Sequence, residues 1–100
     1  MIYKTEFHED VAHDYKEAYT WYEKQKEGLG NRFLEAVKRK IEQISERPES
    51  FSQKSRKGYR EAKVDIFPYL IIYKVYKQTK KIFINSVHHE KKHPKRKFRN

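Results

Sequence analysis

Residues 59–97 read YREAKVDIFPYLIIYKVYKQTKKIFINSVHHEKKHPKRK, and this stretch decides the fold. Its centre, Tyr69 to Tyr76, is a nearly unbroken apolar run rich in β-branched and aromatic residues, the pattern of a central strand covered on both faces. Before it, Phe67-Pro68 interrupts the ladder, because proline has no backbone N–H to donate. After it, Gln78-Thr79-Lys80 supplies a turn and Ile82 to Val87 returns as the second arm of a hairpin. Upstream, Tyr59 to Val64 reads as a further strand whose outer face carries Glu61, Lys63 and Asp65. Three consecutive strands joined by short turns predict an antiparallel meander.

Strands this apolar need a cover, and the first half of the chain supplies it. Ile2 to Phe7 alternates as a short strand. From Glu9 the period changes: Val11, Tyr15, Ala18 and Tyr22 recur at helical spacing, joined by Ala12 and Tyr19. Glu9, Asp10 and Asp14 lie in or near the first turn, where carboxylates suit the helix dipole. This helix is expected to reach about Lys26 and stop before Gly28 and Gly30. A second begins at Gly30 or Asn31, carries Phe33, Leu34, Val37, Ile41 and Ile44 on one stripe, and ends at Arg47-Pro48. Both stripes, with Trp21 and the tyrosines, read as core packing. The short linker makes the two helices an antiparallel hairpin. The predicted class is α+β in the order β-α-α-β-β-β, an antiparallel sheet with the helical hairpin on one face and the other face left for work or for a partner.

The chain has 100 residues, the size of a single domain spanning 1–100, with no internal repeat. Cysteine is absent, which excludes a disulfide framework, a thiol nucleophile and thiolate metal sites. No apolar run approaches the roughly 20 residues that cross a bilayer. The opening MIYKTEFHED places charges where a signal peptide needs its apolar region, so a cytoplasmic protein is expected. The net charge of +10 is unevenly divided: residues 1–50 carry 9 Lys/Arg against 11 Asp/Glu, whereas residues 51–100 carry 15 against 3. The second half is thus suited to a polyanionic partner, either nucleic acid or an acidic protein segment. The basic groups cluster in the loop at 49–58 (Lys54, Arg56, Lys57), on a strand (Lys63), and in a tail from about 91 to 100 whose composition is that of disorder (Lys92, Lys95, Arg96).

No phosphate loop, Ser-His-Asp arrangement or metal-ligand pattern stands out, and no cofactor is implied. His88 and His89 are neighbours, and on a strand neighbours point to opposite faces. What the residues do allow is RNA chemistry. Cleavage by 2′-hydroxyl attack needs a base, an acid and cations around the phosphate. Histidine titrates in the right range for the first two roles. His88 and His89 with Lys91, and Arg60 from a neighbouring strand, are the candidates. The alternative is that these histidines terminate the strand and help a basic tail bind something.

The chain resembles the RelE/ParE superfamily of type II toxin–antitoxin toxins over nearly its full length. The resemblance is carried by Trp21-Tyr22, by GNRF at Gly30–Phe33 with a helix ending in Arg47-Pro48, and by Phe51. It continues through Tyr59-Arg60, FPYLIIYKV at Phe67–Val75, and SVHHEKKHP at Ser86–Pro94. It implies a compact β-α-α-β-β-β toxin, of the kind tied to plasmid stabilization and growth inhibition, held in check by a cognate antitoxin. RelE-like members cut mRNA on the ribosome as endoribonucleases; ParE-like members poison DNA gyrase. By the RelE pattern, Arg60 keeps a basic position on the second strand, Lys91 or Lys92 stands in for the basic residue after the last strand, and His88 or His89 for the histidine of other ribonuclease members. Departures are plain: Ala62 replaces a frequent lysine, Leu70 falls where the third-strand arginine would sit, and Phe98 lacks a tyrosine hydroxyl.

Overall fold

The computed structural model describes residues 2–53 and 57–92. Six elements follow the expected order: β1 (Lys4–Phe7), α1 (Val11–Gln25), α2 (Leu29–Glu46), β2 (Arg60–Lys63), β3 (Tyr69–Tyr76) and β4 (Lys81–His89). The sheet runs β1-β4-β3-β2. Its consecutive strands β2, β3 and β4 are antiparallel, as the meander requires. The first strand departs from a purely antiparallel sheet, because β1 lies parallel to β4 and pairs Lys4–Phe7 with Lys81–Ile84. A strand reached through two helices is free of the hairpin constraint that forces antiparallel pairing, so its direction is set by where the helices return the chain. Tyr3 N–H donates to the Ser45 carbonyl at 2.9 Å and His8 N–H to that of Ile84 at 2.9 Å, which ties both ends of β1.

The helices cover one face. Val11 and Ala18 of α1, and Phe33, Val37 and Ile44 of α2, close on Ala62, Val64, Ile71, Tyr73, Ile82, Ile84 and Val87. Phe33, Tyr22, Phe67 and Tyr69 interlock, with ring centroids between 4.8 and 6.2 Å. The apolar stripes were therefore read correctly, with two exceptions, the first being Ala12, which is exposed. The second, Trp21, is 60% exposed. It stands about 100° around the helix from Tyr22, off the buried stripe.

The start of α2 has an unusual cap. Gly28, at φ 87°, is its N-cap and makes no side-chain cap bond. Instead the Glu23 carboxylate, on the last turn of α1, accepts from the N–H of Gly28 (3.0 Å) and of Gly30 (3.0 Å). An anion there satisfies orphan donors and complements the dipole.

A bulge in β4 sets which histidine looks where. Ile72 pairs with Ser86 but Tyr73 with Ile84, leaving Asn85 as the extra residue. The alternation changes phase there. Ile82, Ile84, Val87 and His89 face the helices, while Phe83, Ser86 and His88 face the other way. Asp14 of α1 secures the segment by accepting from Val87 N–H at 3.0 Å. The second sheet face is not bare, since Ile72, Ser86 and His88 in its middle are all buried. Among the described residues no helix is long and apolar enough to cross a membrane.

Candidate functional site

The residues singled out for chemistry fall into three places. Arg60 shares its side of β2 with Ala62, opposite Tyr73, and therefore faces the helices. Its guanidinium donates to the Phe51 carbonyl at 2.6 Å and lies 3.5 Å from that of Glu49. Tyr73 beside it donates its hydroxyl to Pro48 O at 2.6 Å, and burial holds that phenol above its ordinary pKa. Arg60 and Tyr73 together fasten the segment that follows α2.

His88 lies on the opposite face, 4% exposed, with Nε2 3.3 Å from the Lys92 carbonyl oxygen. Register places it across β3 in one row with Leu70 and Lys63. Lys63 and His88 thus stand two strands apart, about 10 Å, with an aliphatic side chain between them. Lys63 Nζ donates to the Phe67 carbonyl at 2.9 Å and pairs with Glu90 at 3.6 Å. The fold brings Lys63 and His88 into one row and sets Arg60 on the far side of the sheet.

The third place is the end of β4. There the backbone turns: Glu90 N–H donates to Pro68 O at 2.9 Å and Lys92 N–H to His89 O at 3.0 Å. His89 lies edge-on to Tyr69, with centroids 5.0 Å apart. Its Nδ1 accepts from Lys91 N–H at 3.0 Å, so the neutral ring carries its proton on Nε2. Glu17 of α1 accepts from Lys92 Nζ and sits 3.4 Å from His13 Nε2. Tyr69, Trp21, Glu17, His89, Lys91 and Lys92 line a cleft of about 360 Å³. Burial, ahead of the neighbouring Tyr22, Glu17 and Asp14, pushes the Tyr69 phenol up to about 12. It therefore stays a neutral donor.

The sequence reading pointed to His89, Lys91 and Lys92 but missed Trp21 and Tyr69, which were assigned to the core. Trp21's place off the α1 stripe was the signal available. Lys57 is exposed in the turn before Gly58. The expectations for Lys54, Arg56, Lys95, Arg96 and Phe98, and for the tail beyond Lys92, lie outside the described residues. Among the described residues no three His, Asp or Glu side chains group as metal ligands would.

Comparison with known proteins agrees with this architecture. The chain is similar in fold to the chromosomal ParDE toxin–antitoxin system of P. aeruginosa (17% identity, TM-score 0.65, covering 88% of this chain and 96% of that one). It is similar also to E. coli toxin RelE, in a free-state mutant (22%, TM-score 0.68, 91% and 86%) and as the isolated toxin (19%, TM-score 0.67, 92% and 88%). No curated protein matches the sequence. Residues 5–94 match the family described as the ParE toxin of type II toxin–antitoxin system, parDE. With the match running from β1 past the end of β4, the chain belongs to the ParE toxin family of type II toxin–antitoxin systems.

Proposed function

We propose that the protein is the growth-arresting toxin of a type II pair, that it works in the cytoplasm by engaging DNA gyrase without cutting mRNA, and that a cognate antitoxin neutralises it. The observation that supports this reading is that Arg60 and His88 are set apart from each other and from the cleft where His89, Lys91 and Lys92 meet. Arg60 spends its guanidinium on the carbonyls of Phe51 and Glu49, on the helix side of the sheet. His88 is buried on the other side, and Leu70 occupies the place between it and Lys63. Cleavage by 2′-hydroxyl attack needs an acid, a base and a cation within hydrogen-bond reach of one phosphate. Poisoning a protein machine needs only a complementary surface, and the basic second half supplies one for an acidic partner.

The test has two arms run on the same purified protein. Gyrase supercoiling is measured in one, and mRNA integrity in a cell-free translation reaction in the other, with ribosome-free RNA alongside. The expected result is blocked supercoiling and intact mRNA, with growth arrest in cells relieved by the neighbouring open reading frame. Message cut only while ribosomes translate would overturn the gyrase assignment in favour of a RelE-like nuclease. Soluble expression without arrest would leave a basic module that only binds antitoxin or nucleic acid.

A further inference from the structure

The turn between β2 and β3 holds one residue where its own chemistry resists. Ile66 sits at φ 75° and is 89% exposed. The left-handed region crowds a Cβ against the backbone, and a branched Cβ most of all, so isoleucine avoids it. Exposure to water disfavours the same side chain a second time. Neither feature can relax, because the turn is pinned on both sides. Val64 and Phe67 are buried, Lys63 Nζ donates to the Phe67 carbonyl at 2.9 Å, and the buried Lys40 holds Asp65 at 3.3 Å. Tyr69 N–H also donates to the Phe67 carbonyl, at 2.8 Å. Glycine would be at ease at this φ, yet an isoleucine stands there. Strain that the surroundings over-determine in this way points to a use for the side chain.

The surface beside Ile66 is equally particular. A cleft of about 290 Å³ opens between the turn and α2, lined by Ile66, Phe67 and Ala36 with Arg32 and Arg39 along its helix side. Both arginines are exposed, about 10 Å apart along the helix, and neither makes an ion pair among the described residues. Glu35 stands between them and Asp65 is already matched by Lys40, so two guanidiniums face one carboxylate. A desolvated apolar anchor with arginine beside it is the make-up of a binding hot spot. A rigid projecting side chain fits a pocket that exists beforehand, which a folded enzyme has and a segment that orders only on binding lacks. We infer that Ile66, flanked by Arg32 and Arg39, is the contact by which this toxin seizes its target enzyme, entering a preformed apolar socket edged by carboxylates. This assignment rests on the gyrase reading above and names the surface which that reading lacks.

The full-length protein and its variants are compared for inhibition of gyrase supercoiling and for direct binding to gyrase. Ile66→Gly removes the side chain and relieves the φ, so its melting temperature should equal or exceed that of the wild type, and lost activity cannot then be laid to unfolding. The expected result is that roughly thirtyfold more of this variant is needed for half-inhibition, the loss of one hot-spot side chain. Ile66→Leu keeps most of the inhibition, and Arg32→Glu with Arg39→Glu weakens it. Affinity of Ile66→Gly for the product of the neighbouring open reading frame stays unchanged. Full inhibition by Ile66→Gly would overturn the inference and leave the gyrase reading standing, whereas no inhibition by the wild type would remove both. Inhibition kept while affinity for the neighbouring product is lost would assign Ile66 to the antitoxin. A wild-type dimer that Ile66→Gly splits without loss of inhibition would assign it to a second copy of the chain. Either result overturns the inference as well.

Discussion

Arg60 shows how a residue picked for chemistry can turn out to hold the fold together. Its guanidinium closes on two carbonyls of the segment after α2, and Tyr73 adds a third bond to the same segment. Arg60→Ala should therefore lower stability by about 1–3 kcal/mol, the range for losing a charged donor to buried acceptors. Urea unfolding measures this, and Arg60→Lys should recover only part, since an ammonium cannot span both carbonyls. A variant with an unchanged unfolding midpoint and lost toxicity would return Arg60 to a direct role. The orientation was legible in the sequence. Glu61, Lys63 and Asp65 mark the outer face of that strand, so Arg60 must share the inner one with Ala62 and Val64. The histidines were not legible in the same way. Plain alternation would put His88 on the side of Ile82 and Ile84, and only the extra residue at Asn85 exchanges the two histidines.

At the scale of elements, the junction of α1 and α2 rests on one close approach. A Cβ built on Gly30 would come within 2.7 Å of the Tyr19 ring and 3.0 Å of the Glu23 carboxylate. Gly30→Ala should cost about 1–3 kcal/mol through overpacking, and the cost should show as an earlier thermal transition. Glu23→Gln should cost less, because the amide oxygen still accepts but the charge at the helix start is gone. This cap explains why the sequence placed the start of α2 slightly late: its acceptor lies five residues before Gly28, where no local capping pattern would reveal it. The seam between α1 and the sheet makes a pH prediction. Burial, then Asp14, pushes Tyr15 up to about 12, and Tyr69 is pushed up to about 12 as well. Both phenols thus ionise more readily once unfolded, near their ordinary value of 10.0. Between those values the folded state holds more protons, so stability is full below pH 10 and falls as pH rises toward 12. Urea midpoints at pH 9 and pH 11 should show the fall, and Tyr15→Phe with Tyr69→Phe should reduce it to the share left by Tyr73 and Tyr22, whose phenols burial also raises. Equal slopes in wild type and double variant would remove these phenols from the account.

The charge asymmetry of the whole molecule is partly folded back on itself. Lys77 meets Glu49 at 2.9 Å, Lys81 meets Glu6 at 3.5 Å and Lys92 meets Glu17, each joining a second-half lysine to a first-half carboxylate. Exposed pairs of this kind are screened by solvent and lose side-chain freedom on forming, so they do little for stability. They also leave the net charge of +10 intact, and it is net charge that an approaching partner feels from a distance. Composition alone revealed the sign of that field, but not which lysines the acidic half would occupy. If the field steers an acidic antitoxin, its effect belongs to encounter and not to the formed complex. Raising ionic strength from about 0.1 M to about 1 M shortens the Debye length from about 10 Å to about 3 Å. Over that range the association rate with the product of the neighbouring open reading frame should drop by about tenfold to a hundredfold, while the dissociation rate changes little. Stopped-flow mixing separates the two rates. A dissociation rate that climbs with salt while association holds steady would place the charges inside the interface, as buried pairs, and take long-range steering out of the mechanism.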